Sequence, residues 1–272
     1  MKHGDAPGDH ASGAAPQTAT AELPLPTFLI IGAQKSATRW LRLNLGLHPD
    51  VYTQSREVEF FNRASRFDDL GVEWYRAQFD GWRGEPLVGE ATPGYMFWRH
   101  RPQTVADRIR RVVPDVRLIA ILRNPVDRAQ SALVHHIEFG ALPPDTDLLE
   151  YVRSVRPERD RLGIIAGGWY AASLEPYVER FGNQLLVVLH HDADDDPRGV
   201  YTRALRHVGA STDFVPNELD RVRFSFQQHR PVHHLSPDER SELYAFFEND
   251  ITKLHDMLGR DLSMWAPDAP AI

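Results

Sequence analysis

At 272 residues, with 42% hydrophobic and 25% charged side chains, the chain can bury one large core and reads as a soluble globular protein. A formal net charge of −7 argues against a nucleic-acid binder, which needs a basic surplus, and the lack of cysteine excludes disulfides and thiolate metal sites. No apolar run approaches the ~18 residues of a membrane span and the N-terminus lacks a secretory apolar stretch, so a cytoplasmic protein is expected.

Residues 1–24 are mostly Ala, Gly, Pro, His and Thr with little to bury, and are expected to form a disordered leader before a single domain over 25–272. From Thr27 onward, short β-rich runs alternate with helical patterns. The spacing predicts a strand from Thr27 to Ile31, a helix to about Leu47, a strand from Asp50 to Thr53, a helix near Asp69 to Phe79 and a strand from Leu87 to Gly89. Val116 to Leu122 is the next strand. Asn124 caps the helix after it, with Pro125 at its first position and Val126, Ala129, Leu133 and Ile137 on one face. A helix from about Ile165 to Phe181, a strand from Gln184 to Leu189 and a helix opened by Asp196-Pro197 complete the pattern. Such alternation predicts an α/β fold, a central parallel sheet flanked by helices, with ligands beyond the carboxyl ends of the strands.

Two strand ends carry chemistry. The first strand runs into Gly32-Ala33-Gln34-Lys35-Ser36-Ala37-Thr38-Arg39, a small-residue turn that opens a helix. The first N–H groups of that helix favour an anion, and Lys35, Ser36 and Thr38 add charge and hydroxyls. The chain has three lysines against 28 arginines, so a Lys at this turn points to a compact charge. Gln34 stands where an ordinary ATP-binding loop has Gly, which disfavours an NTPase; an incidental surface Lys is the plain alternative. The later strand ends in Arg123 where a triphosphatase would carry a Mg²⁺-holding Asp. A guanidinium there can grip a second phosphate, helped by Ser131, or it is a simple surface Arg.

These segments resemble sulfotransferases that use 3′-phosphoadenosine 5′-phosphosulfate (PAPS), especially the heparan sulfate 3-O- and N-sulfotransferase branch and related bacterial enzymes. The likeness covers Phe28 to Trp265. Gly32 to Arg39 resembles the 5′-phosphosulfate loop, and Leu122 to Arg128 with Ser131 resembles the 3′-phosphate element. Arg56-Glu57-Val58-Glu59-Phe60-Phe61 and Glu90-Ala91-Thr92-Pro93-Gly94-Tyr95 are similar to the family's acidic and Thr-Pro segments. Gly168-Trp169-Tyr170, the Asp192 to Pro197 stretch and Leu258 to Trp265 also match in spacing.

The resemblance implies the P-loop-like sulfotransferase fold and sulfuryl transfer without a metal, with 3′-phosphoadenosine 5′-phosphate (PAP) as product. It implies that Lys35, Ser36, Ala37, Thr38 and Arg39 hold the 5′ end, that Arg123, Ser131 and a late Arg230 hold the 3′-phosphate, and that Tyr170 lies near the adenine. Tyr170 is alternatively plain core. Lys35 would also neutralise charge on the breaking bridge oxygen, and Glu57 would be the base for the acceptor hydroxyl, unless it only caps Arg56 or Arg63. Glu90 reads as structural.

Ala37 replaces a usual Gly, and Glu59 stands where the 3-O branch often has His. Ala91 replaces a Lys of the heparan-specific branch, which points away from a polyanionic acceptor toward a small hydroxyl compound such as a secondary metabolite, glycolipid or sugar. The stretch Gly140 to Gly168 reads as an acceptor-side lid or an ordinary surface excursion. His135-His136, His190-His191 and His233-His234 make no metal face, because neighbours in sequence point apart. A small-molecule kinase and a non-catalytic nucleotide-binding protein remain as alternatives. Oligomeric state is not legible.

Overall fold

The computed structural model describes residues 22–97, 101–155, 159–217, 219 and 235–267. Most of the expected leader (1–21), together with Arg230 and the His233-His234 pair, lies outside the described residues. Five parallel strands form one sheet: β1 (Phe28–Gly32), β2 (Val51–Thr53), β3 (Leu87–Ala91), β4 (Arg117–Leu122) and β5 (Leu185–Leu189), in the order β2-β3-β1-β4-β5. The chain leaves β1 toward one edge of this sheet and β4 toward the other. That divergence opens a crevice above the carboxyl ends of these two neighbours, where parallel sheets take their ligands.

Side-chain alternation explains why the sheet is covered on both sides. Phe28, Ile30, Ile119, Ile121 and Val188 pack against Trp40 and Leu41 of α1 (Thr38–Leu45) and Tyr201 and Leu205 of α8 (Pro197–Val208). Leu29, Ile31, Leu118, Ala120 and Leu122 face the larger cluster. That cluster takes Val105 and Ile109 from α3 (Pro102–Val112), Val126 and Ala129 from α4 (Pro125–Glu138), Leu174 and Tyr177 from α6 (Tyr170–Phe181) and Ile251 and Leu254 from α10 (Glu248–Leu258). Phe28 to Ile31 are fully buried, each contributing roughly 1.5–3 kcal/mol by leaving water.

Several elements differ from the sequence expectation. The helix expected from Ile165 begins at Tyr170, after a 3₁₀ turn over Ala166–Gly168. Gly168 packs so tightly that a side chain would lie 2.7 Å from the Phe247 ring and 3.0 Å from Pro125. The helix expected over 69–79 is a π turn (Ser65–Leu70), α2 (Gly71–Arg76) and a 3₁₀ turn (Ala77–Phe79), interrupted at Gly71, whose φ is 77°. The pattern did not announce α3, whose apolar stripe is short, nor α9 (Pro237–Ala245) and α10. The stretch read as a lid carries α5 (Leu148–Ser154), with Leu148, Leu149 and Val152 buried in the core. Farther along it, the buried Asp160 accepts from the N–H groups of Ile165 at 2.6 Å and Ala166 at 3.0 Å. Among the described residues no helix is long and apolar enough to cross a membrane.

Candidate active site

The Lys35 turn sits where β1 meets β4. Gly32 ends β1 close against Met96, whose Cβ would lie 2.7 Å from any side chain added there, and the Ala33 N–H then donates to the Ile121 carbonyl at 2.8 Å. Lys35 and Ala37 both take left-handed backbone, with φ of 68° and 69°. A methylated residue there costs about 1–2 kcal/mol, which is the physical reason a glycine suits position 37. Ala37 caps α1 without a side-chain acceptor, and a helix start of this kind suits an anion. Ser36 is fully buried. Its Oγ lies close enough to the Tyr170 phenol to bias that group's titration, yet meets the geometry of a hydrogen bond with no described residue. An orphaned hydroxyl beneath a bare helix start fits a phosphate or sulfate oxygen.

Three cations converge on this turn. Burial holds the Lys35 ammonium below its ordinary pKa, and the guanidiniums of Arg123 and Arg128 push it the same way, while Glu138 opposes them. Arg128 is fully buried. Its Nη2 donates to the carbonyls of Gly163, at 2.8 Å, and Ile164, and burial lowers its pKa as well. So much like charge in one crevice is costly until an anion arrives.

The Arg123 corner is braced from several sides. Asn124 accepts the Val126 N–H at 3.0 Å, as its N-cap role requires, and donates to the Trp265 carbonyl at 3.2 Å. The Tyr170 hydroxyl donates to the Arg123 carbonyl at 2.8 Å. Tyr170 is fully buried and packs edge-on against Trp265, so it supports the corner from behind and offers no free face to a base. Its burial agrees with the alternative of plain core, and the adenine contact is carried by resemblance alone. Asp250 of α10 fixes the start of α6 by accepting from the N–H groups of Ala171 at 2.9 Å and Ala172 at 3.2 Å.

On α4, residues 128, 131, 135 and 138 fall on one stripe. Arg128, His135 and Glu138 all act on Lys35, which directs that stripe at the turn and carries the half-buried Ser131 with it. His135 was not singled out by sequence reasoning. Burial, with Lys35 next to it, pushes its pKa down to about 4, so it is neutral near pH 7, and its buried Nδ1 has no partner among the described residues. Phe139, 70% exposed, lies 4.5 Å from the His135 ring. The adjacent-histidine pattern hid this role, which depends on the helix face and not on the pair.

Glu57 stands beyond β2 on the same rim. Its loop is pinned to the end of β3: the Val58 N–H donates to Thr92 Oγ1 at 3.1 Å and the Phe60 N–H to Tyr95 Oη at 3.1 Å. Beneath them the fully buried Glu90 accepts 2.7 Å hydrogen bonds from Tyr75, Thr92 and Tyr95, the structural part expected of it. Burial raises its pKa against those donors. Glu57 itself is exposed, but crowding raises its pKa too, first by desolvation, then through Glu59 and Glu90, with Arg42 opposing. Arg63 pairs bidentately with Glu59 at 2.6 and 2.9 Å instead of with Glu57. Glu59 takes φ of 50°, so strained backbone marks both sides of the crevice. The His190 to Asp196 run forms no convergent cation cage. His190 pairs with Asp194 and His191 with Asp195, while Asp192, its pKa lowered to about 2, is claimed by Arg260 and Arg203.

A family model described as a sulfotransferase domain matches residues 25–250. A sulfotransferase from Alicyclobacillus acidocaldarius is 32% identical, with a TM-score of 0.73 over 89% of this chain and 99% of that one. The human heparan sulfate glucosamine 3-O-sulfotransferase 6 is 30% identical over 70% of this chain and 52% of its own length. The chain thus spans about half the length of the curated relatives it matches. Mouse sulfotransferase SULT7A1, solved with PAP, shares the fold at 15% identity, with a TM-score of 0.54 over 86% of this chain and 87% of that one.

Proposed function

We propose that this chain, which belongs to the sulfotransferase family, transfers a sulfuryl group from PAPS to a hydroxyl of a small-molecule acceptor, residues 25–272 acting as one catalytic domain. The observation that carries this reading is the meeting of the Lys35 turn and the Arg123 corner at the carboxyl ends of adjacent strands, in a crevice where the Arg123 and Arg128 guanidiniums both act on Lys35. A nucleotide with anionic groups at both ends suits that crevice. The 5′ end would lie on Lys35, Ser36, Ala37, Thr38 and Arg39, and the 3′-phosphate on Arg123 and Ser131. Arg230 is assigned to the same phosphate by resemblance alone.

In the reaction, the acceptor oxygen bonds to sulfur as the bridge from sulfur to the 5′-phosphate breaks. Glu57 receives the acceptor's proton, and its raised pKa makes it a stronger base than an ordinary carboxylate. Lys35 neutralises the bridge oxygen as PAP departs. The acceptor would approach along the α4 rim, where Phe139 offers an apolar face and Glu138 repels a polyanion. Those features favour a neutral hydroxyl compound with some apolar surface, such as a secondary metabolite, glycolipid or sugar.

Thermal unfolding tests the donor assignment. PAP at a hundredfold its Kd should stabilise the protein by about 2.7 kcal/mol, roughly 5–10 °C for a chain of this size, while ATP with Mg²⁺ leaves Tm nearly unchanged. The reverse preference would replace the sulfotransferase with a small-molecule kinase. Stabilisation by PAP without transfer to any hydroxyl compound would favour a non-catalytic nucleotide binder.

A further inference from the structure

Glu57 and Lys35 follow strands that are not neighbours. β2 is the edge strand on the opposite side of the sheet from β5 and the short α7 (His190–Asp195), and β3 lies between it and β1. The reach from base to donor turn is therefore set by what joins the end of β2 to α1. Gln54, the first residue past β2, is 5% exposed and makes that joint. Its N–H donates to the Gly89 carbonyl at 2.8 Å, which prolongs the ladder with β3. Its side-chain oxygen accepts from the Ser55 N–H at 2.6 Å and the Arg56 N–H at 3.4 Å, winding the chain that runs into Glu57, while its side-chain nitrogen donates to the Gln78 carbonyl. The Gln54 carbonyl accepts from Arg42 Nη1 at 3.1 Å. Arg42 is half-buried one turn into α1, the helix that the Lys35 turn opens, and its own carbonyl accepts from the Thr53 hydroxyl at 3.4 Å.

We propose that Arg42 is a positioning residue for the base, holding the Gln54 carbonyl from the donor helix so that the Glu57 carboxylate and the Lys35 turn keep a fixed separation across β3. This rests on the reading that Glu57 is the base. A guanidinium suits the task because its donors lie in a rigid plane and its charge does not titrate in the working range. The charge serves the same end. Burial, then Glu59 of the same loop and Glu90 of β3, raise the Glu57 pKa, and Arg42 from α1 opposes them; Arg39 is the other charge that acts on Arg42. Without Arg42 the base would be both looser and harder to ionise.

Arg42→Met and Arg42→Lys in the full chain test this, with radiolabelled PAPS as donor and 2-phenylethanol, a neutral alcohol, as acceptor. Arg42→Met should transfer roughly 10- to 100-fold more slowly, with PAP affinity near wild type, since a misplaced group costs rate and not donor binding. Its loss of activity at low pH should begin at higher pH than in wild type. Arg42→Lys keeps the charge and a single donor, so it should recover part of the rate and leave that pH limb in place. Hydrogen exchange reads the joint without turnover: the N–H groups of Ser55 to Val58 should exchange faster in Arg42→Met, and to a smaller extent in Arg42→Lys, while those of β4 should not change. Exchange at Ser55 to Val58 equal to wild type in Arg42→Met, or in Arg42→Lys should the first fail to fold, overturns the proposal, as does an undiminished rate with an unmoved limb. Wild-type-like transfer by Glu57→Gln would instead overturn the base reading beneath it.

Discussion

Lys35→Ala should reduce the rate of sulfuryl transfer by about 10²–10³-fold while the protein stays folded, because in the proposed reaction the side chain it removes faces the charge that develops on the leaving oxygen. The turn is fixed by the close passage of Gly32 against Met96 and by the Ala33 bond to β4. Loss of one cation from a crowd of three should even ease repulsion in the free protein. The effect should therefore fall on kcat more than on melting temperature. Its pH signature has a definite sign. Since burial lowers the Lys35 pKa, wild-type activity should decline on the alkaline side earlier than an ordinary lysine would allow, and Lys35→Ala should lack that limb. Steady-state rates from pH 6 to 10, with circular dichroism of both proteins, check this. Near wild-type turnover in the variant would remove Lys35 from the chemistry.

Glu57→Gln is expected to cost about 10²–10⁴-fold in transfer with PAP affinity nearly intact. Glutamine keeps the shape and loses the base. Glu57 must be ionised to accept a proton, so wild-type activity should fall as pH drops through its raised pKa, and that acid limb should lie above the ordinary carboxylate value of 4.5. The limb should vanish in the variant. The loop carrying Glu57 is held by Glu90, Thr92 and Tyr95 through backbone N–H groups, which the substitution leaves untouched. Wild-type-like turnover by Glu57→Gln would dismiss Glu57 as the base without touching family membership.

Much of the fold was legible because its signals are local. Strand β1, the Asn124-Pro125 start of α4 and the Asp196-Pro197 start of α8 are written in neighbouring residues, and each caps or pairs as the pattern implies. Parallel topology put the ends of β1 and β4 on one edge of the sheet; that the two strands are neighbours is set by the strand order. What sequence could not supply depends on residues far apart in the chain. Tyr170 reads in sequence as an adenine neighbour or as core, and only the packing of α6 and Trp265 buries it behind Arg123. His135 becomes a neighbour of Lys35 only when α4 lies across the end of β1. The Gly140 to Gly168 stretch looks loop-like because its anchors, Asp160 and the apolar face of α5, work by tertiary contact. Propensity alone also missed α3 and α10, whose stability comes from packing.

A single nucleotide held at both anionic ends is tested most directly by the affinity of Arg123→Ala for PAP against adenosine 5′-monophosphate. Removing a guanidinium that holds the 3′-phosphate should weaken PAP by roughly 10- to 100-fold, the worth of a charge-assisted hydrogen bond, and leave the monophosphate nearly unaffected. Equal losses for both ligands, or no loss for either, would contradict it.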